Sequence, residues 1–390
     1  MNKRHIGIIV GAILFLAIAM GIGRFSFTPM LPFLRQAEGL SVQTGSWIAT
    51  GNYIGYLIGA LWAGRVVKNQ KVVLGFNVAL CILSLLGMGM TTTFIIWFLL
   101  RILSGITGGF IFVLTSSMLM DYLANHQLGK WSGYTFSGIG LGILISGLCV
   151  PYFVQLHDWH TAYFGLTIIS VIFMSITLFF WRKLKAQPHR AAHEQQKVMK
   201  GFMIWLTLAY GLEGMGYIIT GTFLVDIVYE IPLLRPYAGF SWVIVGLGAI
   251  PSAPLWMWLM TTFKAITIIR LAYILQIIGL VLPVISMNVF TVTLSALLFG
   301  STFVGLVAMS TGYGRQLYPK QSGSVVSVLT SFYALGQIIG PILAARIVYY
   351  FASYNAALLF AACIIFFALL ILQFGIYRQR KFDKKTHEVI

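Results

Sequence analysis

Apolar residues in this chain fall into long segments that short polar gaps separate. Each segment has about 20 residues or more, the length a helix needs to cross roughly 30 Å of hydrocarbon. The pattern therefore predicts a chain of membrane-spanning helices with no sizeable soluble domain. Twelve such segments are predicted, at residues 6–34, 43–64, 72–91, 94–120, 131–154, 161–181, 202–227, 238–262, 266–286, 290–312, 322–348 and 354–377.

The basic residues are placed regularly with respect to these segments. All but five of the 26 Lys and Arg residues lie before the first segment, after the last, or in or beside every second gap. Basic residues in short loops stay on the cytoplasmic side of a membrane. The pattern predicts a multi-pass membrane protein with both termini in the cytoplasm. The five exceptions are Arg24, Arg35, Arg101, Arg235 and Arg346.

Composition agrees with this interpretation. The chain is 59% hydrophobic and 9% charged, whereas a soluble protein carries about 25% charged residues. The net charge of +17 lies in the loops, so we expect contact with anionic lipid headgroups and no nucleic-acid partner. The three cysteines lie inside apolar segments without metal-ligand spacing, and no hydrolase motif is present. We expect no cofactor, no bound metal and no enzymatic activity.

The longest internal polar stretch divides the chain in two. Residues 182–201 form the predicted cytoplasmic linker between a six-helix bundle at 1–181 and a second one at 202–377, and 378–390 form a basic cytoplasmic tail. The halves repeat one another at an offset near 195. Repeated features include Ser46-Trp47 and Ser241-Trp242, Gly105 and Gly300, and Gly142 and Gly336.

Two six-span halves in parallel repeat are the design of major facilitator (MFS) transporters. The segments Gly51-Asn52-Tyr53-x-Gly55-Tyr56-x-x-Gly59 and Leu100-Arg101-x-x-x-Gly105 resemble motifs of spans 2 and 4 in that superfamily. The stretch from Gly21 to Phe33 is similar to the uncharacterised bacterial YbfB/YjiJ branch. The resemblance implies an all-α fold of 12 transmembrane helices in two pseudo-symmetric six-helix bundles around a central cavity. It also implies transport by alternating access.

The chain departs from the superfamily pattern in the loop between spans 2 and 3. Residues 63–68 keep the basic residues of that loop but lack its usual Asp. A cytoplasmic gate that depends on an Asp salt bridge is therefore not expected here.

Two ionisable residues lie deep within predicted spans, where a charge costs several kcal/mol and needs a reason. Arg24 either faces the cavity, as a substrate-binding or pairing residue, or snorkels to the nearby surface. Glu213 lies close to the middle of span 7, and the repeat places it within a turn of the position equivalent to Arg24. We predict that Glu213 couples transport to protons; the alternative is a static structural pair with an arginine.

Further candidates form a substrate-binding set with Arg24. By resemblance, Arg101 takes the superfamily's span 4 arginine position; the alternative is a helix-end residue reaching the interface. Polar side chains at helical spacing mark cavity faces on spans 2, 7 and 11, although such groups also bond between helices. These side chains are Asn52, Tyr56, Tyr210, Tyr217, Tyr333 and Gln337.

The combined expectation is a secondary active transporter acting singly on a small-molecule substrate. Arginines outnumber the single buried acid, which favours an organic anion or zwitterion, with protons as the coupling ion. A multidrug or metabolite efflux antiporter is the alternative within transport, and a channel or a non-transporting sensor belongs to another class. At the outer surface, Asp226 and Glu230 are expected to be solvated. Interface anchoring is expected of four tryptophans: Trp47, Trp97, Trp159 and Trp242.

Overall fold

A computed structural model describes residues 2–66, 68–182, 184 and 199–387. These residues form twelve long helices joined by short turns, and no strand occurs among them. The helices are α1 (Lys3–Glu38), α2 (Val42–Ala63), α3 (Gln70–Met88), α4 (Phe94–Asn125), α5 (Ser137–Leu156), α6 (Trp159–Trp181), α7 (Phe202–Glu230), α8 (Ala238–Thr262), α9 (Ala265–Ile285), α10 (Val289–Leu317), α11 (Ser322–Phe351) and α12 (Tyr354–His387).

The all-helical prediction is confirmed, and helix lengths follow the apolar segments closely. Eleven of the described helices are long and apolar enough to cross a membrane. Helix α2 is not among these eleven, although its 22 residues are sufficient in length. It carries Asn52 and several glycines in place of larger apolar residues. Small residues let helix backbones approach closely, so the low hydropathy of α2 reflects its packing.

Glycine contacts repeat between the two halves. A Cβ atom at Gly105 on α4 would collide with the carbonyl oxygen of Asn52 on α2, and one at Gly300 on α10 would collide with that of Val245 on α8. Gly142 packs against α1 in the same way as Gly336 packs against α7. The sequence repeat therefore corresponds to equivalent helix–helix contacts, in which no larger residue fits.

The halves meet along three helix pairs: α5 with α8, α2 with α11, and α1 with α7. In the α5–α8 pair, a Cβ at Gly140 would collide with the Ile250 backbone, and one at Gly246 would collide with the Leu144 backbone. Most of the predicted linker lies outside the described residues. The predicted basic tail begins inside α12, which continues as helix to His387.

Three of the four tryptophans expected at the interface are inside the protein. Trp97 and Trp242 are fully buried and Trp159 is 4% exposed, whereas Trp47 is 46% exposed. The indole nitrogen of Trp97 donates to the Met88 carbonyl at 3.0 Å, and that of Trp159 donates to Glu38 at 3.1 Å. All three indoles are buried inside the bundle and not exposed to lipid headgroups, so the anchoring expectation for these three was wrong.

Candidate functional site

A cavity of about 1800 Å³ lies between the halves. Its deep end is lined by Arg24, Tyr56, Tyr210, Tyr217 and Tyr333, together with Gln337. From there it extends to the helix ends and turns near Gly64, Gly129 and Gln321. Those turns belong to the gaps that carry the basic residues, and we call that face the basic side. The opposite face holds the ends of α1 and α7.

Helix α1 changes its winding just before Arg24. Residues Ala17–Ile22 form a π-helical turn, in which the Gly23 amide donates to the Ile18 carbonyl at 2.7 Å. Residues 23–26 form turns before the helix resumes at Phe27. Such π-helical turns are frequent at functional sites. The break frees backbone carbonyls in the middle of the bundle, and these require donors from elsewhere.

Arg101 supplies two of those donors. Its Nη1 donates to the Gly23 carbonyl at 2.9 Å and its Nη2 to the Arg24 carbonyl at 3.1 Å, while Ser104 also donates to Gly23 at 3.0 Å. The guanidinium lies over the Phe27 ring. Arg101 is not among the described residues that line the cavity. In the structure Arg101 therefore bonds the backbone of α1 behind Arg24, whereas the sequence suggested substrate contact.

Arg24 points inward and not to the membrane surface. Its side chain is 3% exposed, and its guanidinium carbon lies 4.8 Å from the ring centres of both Tyr53 and Tyr56 and 5.3 Å from that of Phe25. All three guanidinium nitrogens are buried without a hydrogen-bond partner among the described residues. A buried cation is costly unless it is paired. This group therefore presents to the cavity a positive charge whose N–H donors are available to a ligand.

The span 2 residues divide between the cavity and the core. Tyr56 lines the cavity, whereas Asn52 donates to the Arg101 carbonyl at 3.4 Å and does not line it. Tyr53, which the sequence analysis left out of the site, lies under Arg24 and bonds Thr222 of the other half at 3.0 Å. The available signal was spacing, because Tyr53 and Tyr56 are one helical turn apart on α2.

Glu213 is fully buried beside the cavity but not in its lining. Its Oε1 accepts a hydrogen bond from Gln276 of α9 at 3.1 Å. Among the described residues it forms no ion pair, so Arg24 and Glu213 are not directly paired in this conformation. Tyr210, one turn away on α7, and Tyr333 on α11 do line the cavity. Arg24 therefore lines the cavity in this conformation, whereas Glu213 does not.

Aromatic rings form the cavity wall on the C-terminal half. The Tyr210 and Tyr333 rings stack with centres 4.3 Å apart, and Tyr217 lies nearly parallel to Tyr333 at 5.4 Å and to Phe303 at 5.6 Å. Gln337 donates to the Tyr217 hydroxyl. We call Tyr210, Tyr217, Phe303 and Tyr333 the ring wall. It is a largely apolar surface opposite Arg24.

An ionic cluster closes the opposite face. Arg35 of α1 contacts Asp226 at 2.6 Å, Glu230 at 2.9 Å and the Tyr354 hydroxyl at 3.0 Å, and Tyr354 also donates to Asp226 at 2.6 Å. Asp226 is 1% exposed. The expectation that Asp226 is solvated was wrong, because residues of α1 and α12 cover it. The cluster joins the two halves at the end away from the cavity opening.

Two further arginines line the cavity toward the basic side. Arg65 and Arg315 are found there with one acidic residue, Asp121, among the described lining. A terminal nitrogen of Arg315 lies 3.2 Å from the sulfur of Met120, which is a weak acceptor. In the sequence both arginines indicate only the orientation of the chain, since a loop position gives no indication of a cavity.

Comparisons with known proteins agree with this architecture. A family model described as "Uncharacterised MFS-type transporter YbfB" matches residues 16–373. The curated "Uncharacterized MFS-type transporter YceJ" of Bacillus subtilis (strain 168) is 25% identical over 159 residues, and the match covers 40% of each chain. The chain therefore spans less than half the length of this relative. A crystal structure of a mutant of the nucleoside transporter NupG shares the fold, with TM-score 0.74 and 13% identity over 96% of this chain and 100% of that one.

Proposed function

Because this chain belongs to the family of MFS-type transporters described for YbfB, we propose that it is a proton-coupled secondary active transporter of a small organic anion or zwitterion. We place it in a bacterial inner membrane and expect it to work by alternating access. The observation that carries the proposal is the buried guanidinium of Arg24 at the deep end of the cavity, whose nitrogens have no hydrogen-bond partner in the described part of the chain.

Arg24 has the chemistry of an anion-binding residue. Its five N–H donors match a carboxylate, and such charge-assisted bonds are about twice as strong as neutral ones. Tyr53, Tyr56 and Phe25 hold the guanidinium by their rings and leave its donors unused. Arg65 and Arg315 near the basic side raise the local concentration of anions in the cavity. Together these features favour a negatively charged solute over a cationic one.

Glu213 is our candidate for the proton-binding group. Burial makes any carboxylate easier to protonate, whereas water or a nearby cation favours the ionised form. Tyr210 and Tyr333 line the cavity and stack on each other, and Glu213 lies behind them, outside the lining. Movement of these rings during the transport cycle would expose the carboxylate to water and release its proton. Coupling would then pass through the ring wall without direct contact between Glu213 and the solute.

The closed opposite face supports alternating access. The cavity extends to the basic side while the Arg35 cluster seals the other end. In the proposed cycle, this cluster separates when the cavity closes at the basic side. The glycine contacts between α5 and α8 provide a close, smooth surface on which the halves pivot.

An efflux antiporter for apolar cations is the alternative that the ring wall favours, because aromatic faces bind cations. Uptake into liposomes separates the two. Purified protein would be tested with carboxylates, amino acids and hydrophobic cations, with and without a pH gradient. Transport of anions and counterflow of unlabelled against labelled solute are expected. Transport of cations alone would refute the anion proposal, and flux without counterflow would indicate a channel.

The Arg24→Ala variant tests the binding role. Removing one partner of a buried charged pair costs about 2–5 kcal/mol, so anion affinity should fall by roughly 30-fold or more. Arg24→Lys keeps the charge but loses the planar, bidentate donor geometry of the guanidinium, so its anion affinity should lie between those of Arg24→Ala and the unaltered protein. Arg346→Ala removes an exposed arginine from another span and is the matched control. Unchanged anion affinity in Arg24→Ala would show that Arg24 is not a binding residue.

The Glu213→Gln variant tests coupling. The amide keeps the shape and the bond to Gln276 but cannot release a proton, so net pH-driven uptake should disappear while solute exchange persists. Glu38→Gln, at the opposite face, is the matched control. If pH-driven uptake by Glu213→Gln equals that of the unaltered protein, another group carries the proton.

A further inference from the structure

The ring wall and Arg24 are close enough to be touched by one small molecule. Phe25 follows Arg24 in the chain, and its ring centre is 5.3 Å from the guanidinium carbon. The same ring meets Phe303 of the ring wall edge-on at 5.8 Å. One aromatic side chain therefore separates the positive charge from the wall.

Two rings of the wall, those of Tyr217 and Phe303, are held in place by neighbouring side chains. Gln337 fixes the Tyr217 hydroxyl, and Phe299 stacks on Phe303 at 5.1 Å from outside the cavity lining. Helices α7 and α11 are locked together behind it, because a Cβ at Gly214 would lie 2.6 Å from the Tyr333 carbonyl oxygen. A surface ordered before binding loses little entropy when a ligand arrives. It therefore selects ligands by shape.

Neighbouring rings in the wall are nearly parallel. Their planes deviate by 18° between Tyr210 and Tyr333, 16° between Tyr333 and Tyr217, and 9° between Tyr217 and Phe303. Aromatic pairs in offset-stacked or edge-to-face arrangements gain energy beyond the area they bury. A planar ring added to this array would gain such contacts, whereas a puckered alicyclic ring of equal carbon number would gain only burial.

We propose that the transported solute is an aromatic monocarboxylate, with its carboxylate on Arg24 and its ring against the ring wall. This inference rests on the proposed transport of an organic anion and specifies the uncharged part of that anion as an aromatic ring. A single negative charge follows from the single arginine at the deep end of the described lining, since Arg65 and Arg315 lie toward the basic side.

Three matched compounds test the inference by calorimetric binding to the purified full-length protein. Phenylacetate and cyclohexylacetate share charge and carbon number but differ in planarity, and phenylacetamide keeps the ring without the charge. Phenylacetate should bind roughly threefold to tenfold more tightly than cyclohexylacetate, and phenylacetamide should bind at least 30-fold more weakly. Tyr333→Leu and Tyr210→Leu should each bring the ratio of phenylacetate affinity to cyclohexylacetate affinity close to one. Tyr333→Phe should keep the preference.

Phe367→Leu, which shortens a lipid-facing aromatic residue that is 57% exposed, is the control. Equal binding of the two carboxylates by the unaltered protein would overturn the aromatic inference and leave the anion proposal standing. A preference that survives both leucine variants would also overturn it. Binding of phenylacetamide with neither carboxylate would overturn the proposed anion transport itself, whereas no binding of any of the three compounds would overturn the aromatic inference alone.

Discussion

Arg35→Ala should open the face opposite the basic side. The variant removes the cation shared by Asp226 and Glu230 and leaves the buried Asp226 carboxylate with Tyr354 as its remaining partner. Breaking a buried ion pair in this way costs about 3–5 kcal/mol. The actual cost should be lower, because Arg35 is 20% and Glu230 49% exposed and exposed pairs contribute little.

We therefore expect a loss of about 2–3 kcal/mol from the closed conformer. Since 1.36 kcal/mol corresponds to a factor of ten, the ratio of open to closed molecules should rise roughly 30- to 150-fold. Labelling of a buried cysteine by a reagent added at that face is proportional to the open population while it is small. The labelling rate should rise by the same factor.

The assay uses Thr222→Cys, since Thr222 is buried beneath the cluster at 2% exposure and bonds Tyr53 of the other half. The three native cysteines are replaced, and a membrane-impermeant maleimide is added from the side of the cluster. Arg35→Lys keeps the charge and should give an intermediate rate. Arg235→Ala, an arginine near the same face whose Nε donates to the Tyr229 carbonyl, is the control. An unchanged labelling rate in Arg35→Ala would refute the idea that the cluster holds this end closed.

Two further predictions concern positioning and stability. Arg101→Leu leaves the Gly23 and Arg24 carbonyls with fewer donors. The variant should weaken anion binding at least tenfold and leave the pH dependence of uptake unchanged. Normal anion binding with only lower thermal stability would show a purely structural role. Asp158 caps α6 through the Thr161 amide at 2.9 Å, and that hydrogen bond lowers the pKa of its carboxyl group. Because this pKa is lowered, the cap stabilises the fold at pH values above the ordinary Asp pKa. The stabilisation is lost as the pH falls through the pKa of Asp158 in the folded state. Asp158→Ala should therefore cost about 1 kcal/mol near pH 7 and progressively less below pH 4, measured by thermal unfolding. The control is Asn2→Ala, which removes the uncharged cap of α1. A constant difference for Asp158→Ala across that pH range would contradict the linkage.

The repeat shows how far the sequence predicts packing. Gly105 with Gly300 and Gly142 with Gly336 are recognisable as pairs in the sequence. In the structure each pair occupies equivalent contacts, where a Cβ would meet a neighbouring backbone. Such a steric requirement excludes every side chain larger than hydrogen at that position, so it leaves a clear trace in the residue type.

The role of each charged residue was less accessible. Arg24 and Arg101 are both lone arginines within apolar segments, yet one lines the cavity and the other bonds the carbonyls of a π-helical break. Asp226 and Glu230 lie one turn apart at the end of one helix, yet their exposures differ widely. In each case the difference depends on a partner more than 70 residues away in the chain.

Hydropathy alone determined that the chain is helical and membrane-spanning, because a bilayer demands about 20 apolar residues for each crossing and satisfies no free backbone groups. The distribution of basic residues predicted its orientation for a similarly local reason. Only the tertiary structure decided that Glu213 lies behind the ring wall and accepts a hydrogen bond from Gln276, and that Tyr53 packs against Arg24. It also decided that Arg35 pairs with Asp226 at the face opposite the cavity opening. Those relations depend on how helices from the two halves rotate and cross, and the periodicity of a single helix does not encode that geometry.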